Sequence, residues 1–166
     1  MYTDLALYID GKWQNGGGRK GEDVINPATE KPLAHLPHAS KADLDEALEG
    51  AKKGFTLWRA TSAYDRSKIM HKAADLMRER HDNIAKIMVQ EQGKVYAEAR
   101  VEVMTSADII DWYAEEGRRS YGRIVPGRVK GTRQLVVQEP VGVVAAFTPW
   151  NFPVLTPARK VGGALA

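Results

Sequence analysis

Apolar and polar residues alternate through "LALYIDGKW" on both sides of Asp10-Gly11, which predicts two short strands joined by a tight turn. "NGGGRKG" then reads as a flexible loop; its glycines lack the spaced Lys-Ser/Thr of a phosphate cradle. "VINPATEKPLAHLPHAS" predicts two more short strands around an Asn-Pro turn. From Ser40 the period lengthens. Ser40 is a suitable N-cap with Asp43 placed as a variant of the capping box. Leu44, Ala47, Leu48, Ala51, Phe55 and Trp58 then recur at helical spacing. A second helix carries Ile69, Ala73, Leu76 and Met77, and a third carries Ile84, Ile87 and Met88 before Gly93 stops it. A fourth, longer helix places Ala97, Val101, Met104, Ala107, Ile110 and Ala114 on one face. All four stripes read as core-facing.

The period returns to two in "TRQLVVQE", a strand expected to be half-exposed. After Pro140, "VGVVAAF" is continuously apolar, as a strand buried on both faces of a parallel sheet is. Proline cannot donate to a ladder, so that strand must stop by Pro149, and Val154 to Ala166 reads as a helix packed back on it. One strand and one helix are the opening of a doubly wound sheet, so the class is α/β. Three parts follow: a β-rich edge and helices over 1–117, a hairpin-like segment over 118–139, and an incomplete strand, turn and helix over 140–166.

Composition narrows the chemistry. The 166 residues are 43% apolar, enough for one domain with a real core, and 24 basic against 21 acidic side chains leave a net charge of only +3. That balance does not argue for nucleic acid, and the cluster Arg118, Arg119, Arg123, Arg128, Lys130 and Arg133 reads as a solvated face. The absence of cysteine removes disulfides, thiolate metal sites and a thiol nucleophile from these residues. His35, His38, His71 and His81 lack ligand spacing, so no metal is expected. Glu115 and Glu116 are adjacent and point about 100° apart on a helix, which unsuits them as an acid/base pair. No basic n-region precedes an apolar stretch and no run is long enough to span a bilayer, so a soluble, cytoplasmic protein is expected.

"FTPWNFPVLTPARK" is left. A strand whose C-terminal end delivers a turn and then a helix puts that turn where open α/β sheets bind ligands. No GxGxxG follows the strand, so the common dinucleotide fingerprint is missing. Asn151 stands between Trp150 and Phe152 and is fixed by two prolines, a rigid mount suited to an oxyanion-stabilising amide. Equally, Asn151 could simply cap the following helix.

"EPVGVVAAFTPWNFPVLTPARKVGGALA" resembles the aldehyde dehydrogenase superfamily, and "YIDGKW", "INPATE", "EQGK" and "WYAEEGRRSYGRIVP" occur in the order expected of its N-terminal region. In that family a thiolate attacks a small-molecule aldehyde, the thiohemiacetal gives hydride to NAD or NADP, and a glutamate-activated water releases the acid. The resemblance implies that Asn151 donates its side-chain N–H to the developing oxyanion, an effect of about 3 to 4 kcal/mol for such donors. It implies that Phe147, Thr148, Pro149, Trp150 and Asn151 line the nicotinamide half of the cofactor. Arg159 and "DWYAEEGRRSYG" are similar to succinate-semialdehyde dehydrogenases, in which a guanidinium would pair with the substrate's distal carboxylate; a plain helix-surface Arg is the alternative. "GRIVPGRVKGTRQLVVQE" matches the family's oligomerisation strands, implying a homo-oligomer, a dimer or tetramer, formed by edge addition.

The family's nucleophilic cysteine, glutamate base and adenine-ribose lysine fall beyond position 166, so the isolated chain is expected to be inactive and prone to aggregate. A competing expectation is a non-catalytic fragment that serves only as an oligomerising or partner-binding piece.

Overall fold

A computed structural model describes residues 2, 4–15 and 18–166. Strands β1 (Ala6–Ile9) and β2 (Lys12–Asn15) form an antiparallel hairpin. Asp10 and Gly11 at its turn have φ of 47° and 77°, the left-handed pair that matches the twist of the flanking strands. Tyr8 and Trp13 face each other across it with ring centroids 4.8 Å apart. Gly16 and Gly17 of the glycine loop lie outside the described residues. A second hairpin joins β3 (Gly21–Asn26) to β4 (Lys31–Pro37), with a bulge between Val24 and Ile25. Its turn is set by Asn26, whose Oδ1 accepts from Ala28 N at 2.9 Å.

Helix α1 (Lys41–Ala60) starts at the expected capping box, in which Ser40 Oγ accepts from Asp43 N and Asp43 Oδ2 accepts from Ser40 N at 2.7 Å. Arg19 closes on the same buried carboxylate through both terminal guanidinium nitrogens, Nη1 and Nη2, tying the β-edge to the helices. That guanidinium, with Ser40, holds the Asp43 carboxyl below the usual carboxylate range. Helices α2 (Ala63–Glu79), α3 (His81–Gln92) and α4 (Tyr96–Glu116) follow, the third stopped by Gly93 in the left-handed conformation at φ 78°. A Cβ on Gly93 would also stand 3.0 Å from Pro27 Cγ in the β3–β4 turn.

Helix α4 is the axis of the core. It packs against α2, α3 and α5 (Leu155–Leu165), and its buried positions Ala99, Val103, Ser106, Ala107 and Ala114 are small, which lets the neighbours approach closely. Ala85, Met88, Ala99 and Val103 form a buried apolar cluster, with Ile84, Val89 and Val154 against it. At the α4–α5 crossing only glycine fits position 162, because a Cβ there would lie 2.9 Å from Tyr113 Cδ2.

Four expectations change. In α2 the covered stripe is Ser67, Met70 and Ala74, while Ile69 and Ala73 face out: the buried face is rotated by a residue toward the small side chains that meet α4. Leu44 and Leu48 of α1 and Val101 and Met104 of α4 are exposed, since no element among the described residues covers those faces. The strand expected over 141–147 does not form. That segment is irregular and has no ladder partners, and Val141 is 93% exposed. A parallel strand exists only beside another strand, and none stands next to it among the described residues. The strand expected in "TRQLVVQE" is β6 (Arg133–Val136), paired antiparallel with β5 (Arg123–Pro126); both are exposed throughout rather than half-covered. A short 3₁₀ turn, Gly117–Arg119, leads from α4 into this hairpin.

Candidate functional site

The segment from Phe147 to Val154 has little regular structure of its own, so its shape is imposed from outside. Pro149 and Pro153 fix φ on either side of Trp150–Phe152. Thr156 Oγ1 donates to Phe152 O at 2.7 Å, and α5 begins at Leu155 with Pro157 in its first turn, where a missing N–H is harmless. Three side chains then grip the turn. Lys160 Nζ donates to Phe147 O, reaching back from α5. Lys94 Nζ, from the α3–α4 connection, donates to Asn151 O at 3.1 Å and lies 4.1 Å from the centre of the Phe152 ring. Glu102 Oε1, from the middle of α4, accepts from Val154 N at 2.9 Å and Leu155 N at 3.1 Å.

Glu102 is the cap of α5. Its carboxylate satisfies two of the amides that a helix start leaves without partners, at the end where the helix dipole favours negative charge. Its other oxygen pairs with Lys94, and the two side chains are only 2% and 10% exposed. The helix-capping alternative for Asn151 therefore has no place here: Val154 is the N-cap residue, no side chain of its own segment caps the helix, and the amides are taken by Glu102. Asn151 itself is exposed.

Phe147, Thr148, Pro149, Trp150 and Asn151 thus share one solvent-facing turn, with Phe147 83% and Trp150 76% exposed. Arg159 stands apart on the outward face of α5, exposed and without an ion pair among the described residues. A cleft of about 760 Å³, lined by Phe55, Trp58, Arg66, Tyr113, Val144 and Leu165 among others, does not include Asn151. Sequence reasoning missed Lys94, Glu102 and Lys160 as parts of the site. The one available signal was Glu102, a charge falling beside Val103 within the covered face of α4.

His71 is the most strongly engaged histidine. Its Nδ1 lies 2.6 Å from Asp111 Oδ1 and its Nε2 lies 2.8 Å from Glu115 Oε1, so both ring nitrogens face carboxylates. Those two contacts, Glu115 foremost, raise its pKa.

A sequence profile described as "Aldehyde dehydrogenase family" matches residues 13–166. The chain is 45% identical over 166 residues to a 4-(hydroxymethyl)benzenesulfonate dehydrogenase of Comamonas testosteroni, covering 100% of this chain and 35% of that protein. It is 40% identical over 166 residues to the NADP(+) succinate-semialdehyde dehydrogenase of Escherichia coli strain K12, covering 100% of this chain and 34% of the relative. Among solved structures, a succinate-semialdehyde dehydrogenase from Burkholderia pseudomallei superposes with a TM-score of 0.93 at 40% identity, covering 97% of this chain and 33% of that one. The chain spans about a third of the length of the relatives it matches.

Proposed function

Because the chain belongs to the aldehyde dehydrogenase family, we propose that it is the N-terminal portion of an NAD(P)-dependent enzyme that oxidises a semialdehyde acid to the dicarboxylate. The observation that carries this reading is the state of Asn151: exposed, relieved of any capping duty, and mounted on a turn gripped from both sides. A carboxamide so mounted can donate an N–H to an oxyanion without reorganising, which is what makes such donors effective. Arg159, on the helix that the turn starts, supplies a guanidinium for the distal anion of the substrate. The relatives reported above are named for substrates that bear a sulfonate or a carboxylate, which supports that assignment.

Bound NAD or NADP would supply the hydride acceptor. The residues present fit part of that role: Phe147 and Trp150 offer uncovered flat surface beside Asn151, and Pro149 stiffens the backbone between them. The chain's own contribution is to hold that surface still and to present one amide. Other groups that the reaction requires, a thiolate above all, would come from outside these residues. We further assign β5 and β6 to contact with a second copy of the chain, since both strands are exposed and carry Ile124, Val125, Leu135 and Val136.

The test uses the full-length protein that carries this chain. With succinate semialdehyde and NAD(P)⁺, Asn151→Ala should lower kcat by about 10²- to 10³-fold, and Arg159→Met should raise KM for the semialdehyde acid but not for a neutral aldehyde of equal length. A wild-type kcat in Asn151→Ala would end the proposal.

A further inference from the structure

We propose that the buried Lys94–Glu102 pair is the positioning device of the Asn151 turn, two residues that touch no reacting atom yet set the direction in which the Asn151 amide points. The inference rests on the role proposed for Asn151. Its support is the way the pair's bonding capacity is spent. An ammonium has three N–H donors and a carboxylate two oxygens. Lys94 gives one donor to Glu102 and one to Asn151 O at 3.1 Å, and lies 4.1 Å from the centre of the Phe152 ring. Glu102 gives Oε2 to Lys94 and Oε1 to Val154 N and Leu155 N. Apart from the bond between them, these contacts all go to the segment from Asn151 to Leu155.

The contacts straddle Pro153. Lys94 fixes the carbonyl on one side, Glu102 fixes the amides on the other, and the proline ring fixes φ between them. With its carbonyl pinned, the Asn151–Phe152 peptide is held in one orientation, and with it the Cα–Cβ direction from which the Asn151 amide projects. The grip is grounded in the core. Glu102 precedes Val103, and Lys94 follows the helix that carries Ala85 and Met88; Val103, Ala85 and Met88 belong to the core cluster on which Val154 also packs. A buried ion pair is a poor source of stability, because desolvation offsets its attraction and apolar replacements of similar volume often fold as well or better. Geometry is then the reason to have this one.

That same fact makes the decisive variant foldable. In the full-length protein, Lys94→Met with Glu102→Leu removes both charges together, so no unpaired charge is left buried, while the amides of Val154 and Leu155 lose their acceptor. We expect a melt that stays cooperative and is lowered by no more than the loss of one helix cap, a kcat reduced at least about 10-fold through misplacement of the amide, an unchanged cofactor KM, and faster hydrogen exchange at Val154 and Leu155. Lys94→Met with Glu102→Gln, which keeps an acceptor for the helix amides, should recover the slow exchange and part of kcat. The inference is overturned if the apolar double variant keeps wild-type kcat or wild-type exchange at those two amides. A wild-type protein that oxidises no aldehyde would instead sink the proposed activity, while the exchange comparison still judges the grip.

Discussion

The helices up to Glu116 and the stretch from Gly117 to Trp150 are both rich in apolar side chains, and they treat them in opposite ways. Around α4, Met70, Ala74, Ala85, Met88, Val103 and Ala107 are buried. In the second stretch Ile124, Leu135, Val137, Val141 and Phe147 are all exposed. Hydrophobicity is therefore not what separates them; partners are. A helix satisfies its own backbone and needs only a neighbouring helix, usually close in sequence, to cover one stripe. A strand needs a ladder as well as a cover, and for a parallel strand both come from distant chain.

The largest effect should come from placing a charge in the covered region. Val103→Asp puts an unpaired carboxylate in the core cluster, at a cost of several kcal/mol, and should abolish the helical circular-dichroism signal's cooperative melt. Leu135→Asp, by contrast, should leave that melt in place and shift the protein to a smaller species in light scattering, because Leu135 is exposed on β6. If both substitutions unfolded the protein alike, the two regions would not differ as described.

What was readable in the sequence follows the same division. The Asp10-Gly11 turn, the Ser40–Asp43 capping box and the Gly93 stop were legible because each depends on chemistry within a few residues. The strand over 141–147 was read from its own apolar run, which states a preference but cannot provide the neighbour. The phase of α2 slipped by one residue because Ile69 and Met70 are both apolar and either could lead the stripe; the small residues of α4 decide it. Asn151 was legible as a candidate, but not what holds it. A glutamate in an amphipathic helix is read by default as solvent-facing, and a lysine between two helices has no periodicity at all.

The smallest predicted effect lies at the rim of the covered region and depends on pH. His71, on α2, faces Asp111 and Glu115 of α4; Arg78 in turn pairs with Asp108 and Asp111, and Arg118 with Glu115. Its folded pKa is raised above the unfolded value of about 6.5, so its stabilisation is fully present below that pH and is lost as pH rises through the folded value. The melting temperature of wild type relative to His71→Gln should accordingly be highest below about pH 6.5 and decline as the pH rises above it. A difference independent of pH would remove the histidine from the account of how α2 and α4 are held.

Gly93 gives the N-terminal hairpin an unexpected reach. Its position is closed twice, by a left-handed backbone and by Pro27 against the place where a Cβ would stand. Lys94 is the next residue. The hairpin turn that carries Pro27 contains no candidate for chemistry, yet it acts as a shim behind the lysine that pins Asn151 O. Thickening the shim by a single methyl would be transmitted along the backbone to Lys94 and through it to the carbonyl of Asn151. Tolerance to change in that hairpin is thus limited by a tolerance set elsewhere, as the fit of a bearing is limited by the shaft it carries.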